Sequence, residues 1–134
     1  MPRKSPAAVR AALPRHPRRG ERSSVIDGVS AATLGETHRL ERARGNPGEV
    51  ARDLAGWKRQ AAEANRRGGT GPSTLCPCCE PEPEGRRGLE RVLHSLSRRA
   101  RRELAAVVGA VDRRVLATTY GAPPDVPGWW EHRV

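Results

Sequence analysis

Three cysteines fall within four residues, in Leu75-Cys76-Pro77-Cys78-Cys79, and they carry the most specific chemistry in the chain. Pro77 fixes its own φ, and the short spacing brings Cys76 and Cys79 together so that two thiolates can meet one metal ion, with zinc as the expected metal. A tetrahedral site needs four ligands, and no second Cys-x-x-Cys follows. Cys78 and His94 are the candidates to complete the set. Fourteen residues separate Cys79 from His94, near the spacing of a zinc finger, and a helix starting near Arg87 would carry His94 on its second turn. The second histidine of such a finger belongs where Arg98, Arg99 and Ala100 stand, which excludes a complete two-Cys, two-His site. Three protein ligands plus water, a fourth ligand from His38 or His132, and a site shared between two copies all stay open. So do free thiols in a polar loop.

Cys76 and Cys79 also have the spacing of a dithiol redox pair. Thiol oxidoreductases activate the first Cys at a helix N-terminus, whereas here Glu80, Pro81, Glu82, Pro83 and Glu84 follow. Carboxylates raise a thiol pKa and prolines oppose the helix, so redox chemistry ranks third among the readings. His16, His38 and His132 have no arranged nucleophile or carboxylate partner. There is no phosphate-binding loop, no paired-carboxylate signature and no nucleophile elbow, and the chain reads as a non-enzyme.

The second chemical theme is charge. The chain has 134 residues and a net charge of +10, with 23 arginines against Lys4 and Lys58. Arg3, Lys4, Arg10, Arg15, Arg18, Arg19 and Arg22 against Glu21 give the first 22 residues +6 of that total. Such an arm suits sequence-independent contact with nucleic-acid phosphates. Arg98, Arg101 and Arg102 form a second basic cluster; beside the phosphate reading stands a solvated helix face, with Arg99 and Glu103 as an i,i+4 pair. The excess of Arg, Ala, Gly and Pro without Phe also reads as GC-rich coding.

The elements that would position these groups follow from hydrophobic spacing. Leu, Ile, Val and Phe make 22 of the 134 residues, about 16%, and ten of them fall within residues 89–116. The expected architecture is therefore one mainly α domain: a small helical hairpin or bundle with a disordered basic N-terminal arm and an extended C-terminal tail. Residues 1–45 read as the largely disordered arm, weakly helical at best over residues 29–44, with Leu34 and Leu40 as anchors. Asn46-Pro47-Gly48-Glu49 reads as a capped helix start, and Val50, Leu54, Trp57 and Ala61 share one face of a helix over 46–68 that Gly68-Gly69 ends. Residues 69–88 form the Cys/Pro-rich loop. Over 89–120, Leu89, Leu93, Leu96, Ala100, Leu104, Val107, Val111 and Val115 make a continuous apolar stripe, with Ser97 as an N-cap that can split it into helices near 87–95 and 98–118. The stripe should pack on the Val50–Ala61 face, with a homodimer through it as the competitor. Residues 121–134 form the extended tail, whose Trp129 and Trp130 either fold back over the long helix or anchor a protein partner.

The knuckle, the Arg99-Ala100-x-x-Glu103-Leu104 run and the terminal Trp129-Trp130 resemble short basic proteins of unknown function from high-GC actinobacteria and their mobile elements, over residues 75–131. The resemblance implies a helical C-terminal half and carries no activity. No apolar run approaches the roughly 20 residues of a membrane span, and Arg18-Arg19 is not followed by an apolar segment. Three clustered cysteines point to a reducing cytoplasm rather than a disulfide framework. The expected function is that of a small accessory protein binding nucleic acid nonspecifically, against an adaptor with a zinc-clipped loop and a Trp-Trp anchor.

Overall fold

Ser30 caps the helix that opens the described residues. The computed structural model describes residues 24–66, 84–119 and 123–132. Within them lie four α-helices, α1 (Ala31–Arg44), α2 (Glu49–Arg66), α3 (Glu84–Ser95) and α4 (Arg98–Thr118), followed by a 3₁₀ turn at Trp129–His132. The fold is mainly α. Among the described residues, no helix is long and apolar enough to cross a membrane.

The apolar spacing of α2 decides its orientation: Val50, Leu54, Trp57 and Ala61 are all buried, as their shared face requires. They meet Leu89, Val92 and Leu96 of α3 and its turn, and Ala100, Leu104, Val108, Val111 and Val115 of α4, in one core. The stripe is thus covered within one chain by the α2 face. Ser97 does split it, its hydroxyl accepting from the Ala100 N–H. Two positions differ from the continuous count: Val92 and Val108 are buried, whereas Leu93 and Val107 are half-buried. Ahead of the break at residues 96–97, Val92 follows Leu89 by three residues and precedes Leu96 by four on one face; after it, the new helix turns Val108 inward and leaves Val107 to face Gly28.

The helices α2 and α3 approach closely at Asp53. A Cβ on Gly85 would lie 2.5 Å from the Asp53 carbonyl oxygen, so only glycine fits there, and one on Gly88 would lie 1.9 Å from Asp53 Oδ2, so the carboxylate would have to move. The contact sequesters Asp53 Oδ2 and Glu49 Oε2 without hydrogen-bond partners. Burial first, and the neighbouring Glu49 second, push the Asp53 carboxyl up to about 6.

Four expectations change. Residues 31–44 are a full helix rather than part of a disordered arm, and its anchors are polar: Thr33, Thr37 and Glu41 are buried, while Leu34 and Leu40 are only half-buried. Hydrophobic spacing misses such a helix because its inward face is not hydrophobic. Asn46 does not cap α2. The buried Glu41 carboxylate does so from the preceding helix, accepting the Gly48 N–H and the Val50 N–H, each at 2.9 Å. Gly45, at φ 73°, lets α1 end in a left-handed turn whose N–H and that of Asn46 bond back to Arg42 and Glu41, leaving Glu41 just ahead of the new helix. The Cys/Pro-rich loop stops sooner than residue 88, because α3 begins at Glu84, whose charge suits a helix N-terminus. The tail, finally, is not extended at its end: Trp129 and Trp130 are buried in the core.

Candidate nucleic-acid interface

The inner side of the bundle is held by one ionic centre. Arg86, on α3, is 6% exposed. Its guanidinium donates to both oxygens of Asp112 on α4, Nε to Oδ1 and Nη2 to Oδ2 at 3.1 Å each, and Nη1 donates to Glu90 at 2.7 Å. The indole N–H of Trp57 donates to Asp112 Oδ1 at 2.8 Å, and Trp130 lies under the guanidinium, 4.0 Å from ring centre to Cζ. The forked donor geometry of Arg makes this double contact with a carboxylate, and its weak hydration permits the stacking. Trp129 packs edge-on against Trp130. Of the two readings of this pair, folding back or anchoring a partner, the buried rings match the first, with Trp130 stacked on Arg86.

Glu103, Glu36 and Glu131 are likewise engaged within the fold, whereas Asp27, Glu84 and Asp125 lie exposed. Glu103 Oε2 accepts the Ser30 N–H at 2.8 Å and the Thr33 hydroxyl at 2.7 Å, tying the start of α1 to α4. Those bonds, the Ser30 amide foremost, hold its carboxyl down at about 2, with Arg99 3.3 Å away as a lesser cause. Glu36 accepts the Ser97 N–H at 2.6 Å and the Ser97 hydroxyl at 2.8 Å, which lowers its carboxyl below the usual range. Its negative charge sits at the N-terminus of α4, where the helix dipole favours an anion and where the first turn of α4 itself holds no acid. Glu131 pairs with Arg87 at 2.7 Å.

The arginines of α4 are left outside. On α4, Arg98, Arg99, Arg101, Arg102, Arg113 and Arg114 are all exposed, and the other exposed positions are Ala105, Ala106, Ala110 and Ala117. No acid occupies an exposed position of this helix; Glu103 and Asp112 are half-buried and committed to the contacts above. Arg44 of α1 joins the cluster where α3 turns into α4, its Nη2 donating to the Ser95 hydroxyl at 2.6 Å.

Of the nucleic-acid candidates in the folded part, Arg98 and Arg102 thus lie on the surface as expected. Arg101 has a second task. It donates to the carbonyls of Leu93, His94 and Leu96, satisfying the orphan acceptors at the end of α3. Arg3, Lys4, Arg10, Arg15, Arg18, Arg19 and Arg22 lie outside the described residues, as do the proposed zinc ligands Cys76, Cys78 and Cys79. His94 is exposed and its Nε2 is 3.2 Å from Glu90 Oε1. His38 Nε2 lies 2.9 Å from the Ser24 carbonyl oxygen. Among the described residues, no group of three His, Cys, Asp or Glu side chains is placed to hold a metal ion.

Comparison with protein-family models, with curated proteins and with solved structures finds no match to this chain. The reading of the surface rests on its geometry.

The sequence gives no hint that Arg44 reaches the α3–α4 corner, since 51 residues separate it from Ser95. Nor does a charge count reveal that Glu41, Glu103 and Asp112 are taken up by contacts within the fold. Only Glu41 lies near the end of its own helix; Glu36 and Glu103 meet the starts of α4 and α1 through contacts 61 and 73 residues apart.

Proposed function

We propose that this protein binds nucleic acid without sequence specificity, through phosphate contacts made by its N-terminal arm and by the exposed arginines of α4. The observation that supports this reading most is the segregation of charge: Glu36, Glu41, Glu90, Glu103, Asp112 and Glu131 accept hydrogen bonds or ion pairs within the fold, while Arg98, Arg102, Arg113 and Arg114 face outward. Outside the first 22 residues the formal charge is only mildly positive, +4, so composition understates what the surface presents. Arginine is suited to the task because its planar fork matches a phosphate. Contacts to phosphate carry affinity and register without base identity.

A titration of labelled DNA with the full chain over about 50–200 mM salt tests this, because each neutralised phosphate releases counterions and steepens the slope of log K against log salt. The reading expects binding that weakens linearly on that plot. Deletion of residues 2–22, which hold +6 of the charge, should flatten the slope without removing it. Absent or salt-insensitive binding would refute it. Zinc at Cys76, Cys78, Cys79 and His94 is a separate proposal. Stoichiometric metal lost on Cys76→Ser/Cys79→Ser substitution supports it, and zinc-free protein with three titrating thiols counts against it.

A further inference from the structure

We infer that the partner is double-stranded DNA and that α4 lies in its major groove; this rests on the nucleic-acid reading above and narrows it. The exposed side of α4 has a pattern beyond its charge. At 3.6 residues per turn, Arg98, Arg102, Ala106, Gly109 and Arg113 fall within one sector of about 80°, opposite the buried Ala100, Leu104, Val108, Val111 and Val115. The two arginine clusters, at residues 98–102 and 113–114, are separated by a span whose exposed side chains are Ala105, Ala106 and Ala110, with the half-buried Gly109 among them, where Arg113 Nη1 comes within 3.7 Å of the place a Cβ would take. From Arg102 to Arg113 the rise is about 16 Å. The face is therefore low in the middle and cationic at both ends.

That shape and charge fit a duplex groove. A B-form major groove, about 12 Å wide, admits an α-helix, and small side chains at the centre let the helix backbone approach the base edges. Arginines at either end then reach the phosphates that flank the groove. The deep, narrow major groove of duplex RNA does not admit a helix in this way.

Single-stranded nucleic acid calls for a different surface, one with exposed aromatic rings on which bases stack. Here Trp57, Trp129 and Trp130 are 0%, 5% and 8% exposed, and the chain has no Phe. Its single Tyr, Tyr120, lies outside the described residues. The rings are committed to the core and to Arg86, which leaves the α4 face to recognise backbone and groove alone.

The test is competition for the full chain among a DNA duplex, one of its strands and an RNA duplex, at equal phosphate concentration. Duplex DNA should bind several-fold more tightly than either of the others. Ala105→Met/Ala106→Met adds bulk at the low centre without charge and keeps a good helix former, so it should weaken duplex DNA binding several-fold while circular dichroism stays unchanged. Arg98→Gln/Arg102→Gln/Arg113→Gln/Arg114→Gln should lower the salt slope on duplex DNA by about three to four, at roughly 0.9 per phosphate lost. Equal or tighter binding of single strand or duplex RNA overturns the groove placement, and so does unchanged duplex binding by either variant. Failure of the full chain to bind all three would instead overturn the broader function.

Discussion

The helices α2 and α1 are attached to the same partner helix by different means. Four apolar side chains at helical spacing bury α2 against α3 and α4. The inward face of α1 is Thr33, Thr37 and Glu41, and its fastenings are Glu103 onto the Ser30 amide, Glu36 onto the Ser97 amide and Glu41 onto the start of α2. The first attachment is non-directional and follows area. The second is a set of charge-assisted hydrogen bonds, each dependent on one carboxylate meeting one helix terminus. What the difference teaches is that the carboxylates that hold α1 are thereby committed to backbone amides, Glu41 fully buried and Glu36 and Glu103 partly so, and the means of attachment shapes the charge the fold presents.

The comparison is broken most severely on the apolar side. Leu104 is fully buried, and Leu104→Asp places a charge in the core; a loss above about 4 kcal/mol, enough to unfold the bundle, is expected by circular dichroism and denaturant titration. Full helicity would show that residues 98–118 are not a core helix.

The ionic centre should come next. Asp112→Ala leaves Arg86 buried with Glu90 as its remaining carboxylate, at a cost of about 3 kcal/mol in urea unfolding. A change under about 1 kcal/mol would mean that the centre is solvated and Trp130 does not cover it.

The polar attachment should be weaker and more local. Glu41→Ala strands the Gly48 and Val50 amides and should cost about 1–3 kcal/mol, with hydrogen exchange accelerated first at residues 48–50. Acceleration spread evenly over α2 would argue that Asn46 supplies the cap instead.

The last effect is one of pH. Asp53 has a carboxyl raised to about 6, so the folded chain binds its proton more tightly than the unfolded chain. Its contribution to stability therefore rises as the pH falls from above 6 toward its ordinary value of 3.8. Asp53→Asn should abolish that gain, and a wild-type stability flat between about pH 7 and 4 would contradict the burial of its carboxylate.

These contrasts also mark what was legible in the sequence. The α2 face, the Ser97 break and the end of α4 near residue 118 were readable because apolar period and capping chemistry are local signals. The extent of α1 was not, since Thr33, Thr37 and Glu41 have no apolar period and their partners lie up to 70 residues away. Trp129 and Trp130 could be read as lid or as anchor until Arg86 supplied the cation beneath them. Of the interface, Arg98 and Arg102 were identifiable as a cluster, whereas the inward turn of the acids depends on three helices meeting. Arg113, Arg114 and the alanines between the clusters carry no local signal, because their shared exposure follows only once the opposite face of α4 is buried.

That inward turn is measured most directly by the titration of individual side-chain carboxyls in the folded protein by carbon-detected NMR. Glu103 should titrate near pH 2 and Glu36 below the ordinary value of 4.5, because in each the charged form accepts backbone and hydroxyl hydrogen bonds. Both depressed values signify stability present above pH 4.5 and lost as the pH falls through the folded values. Glu36 and Glu103 titrating together at about 4.5, like free glutamates, would contradict the account: the acids would then face solvent and offset the arginines beside them.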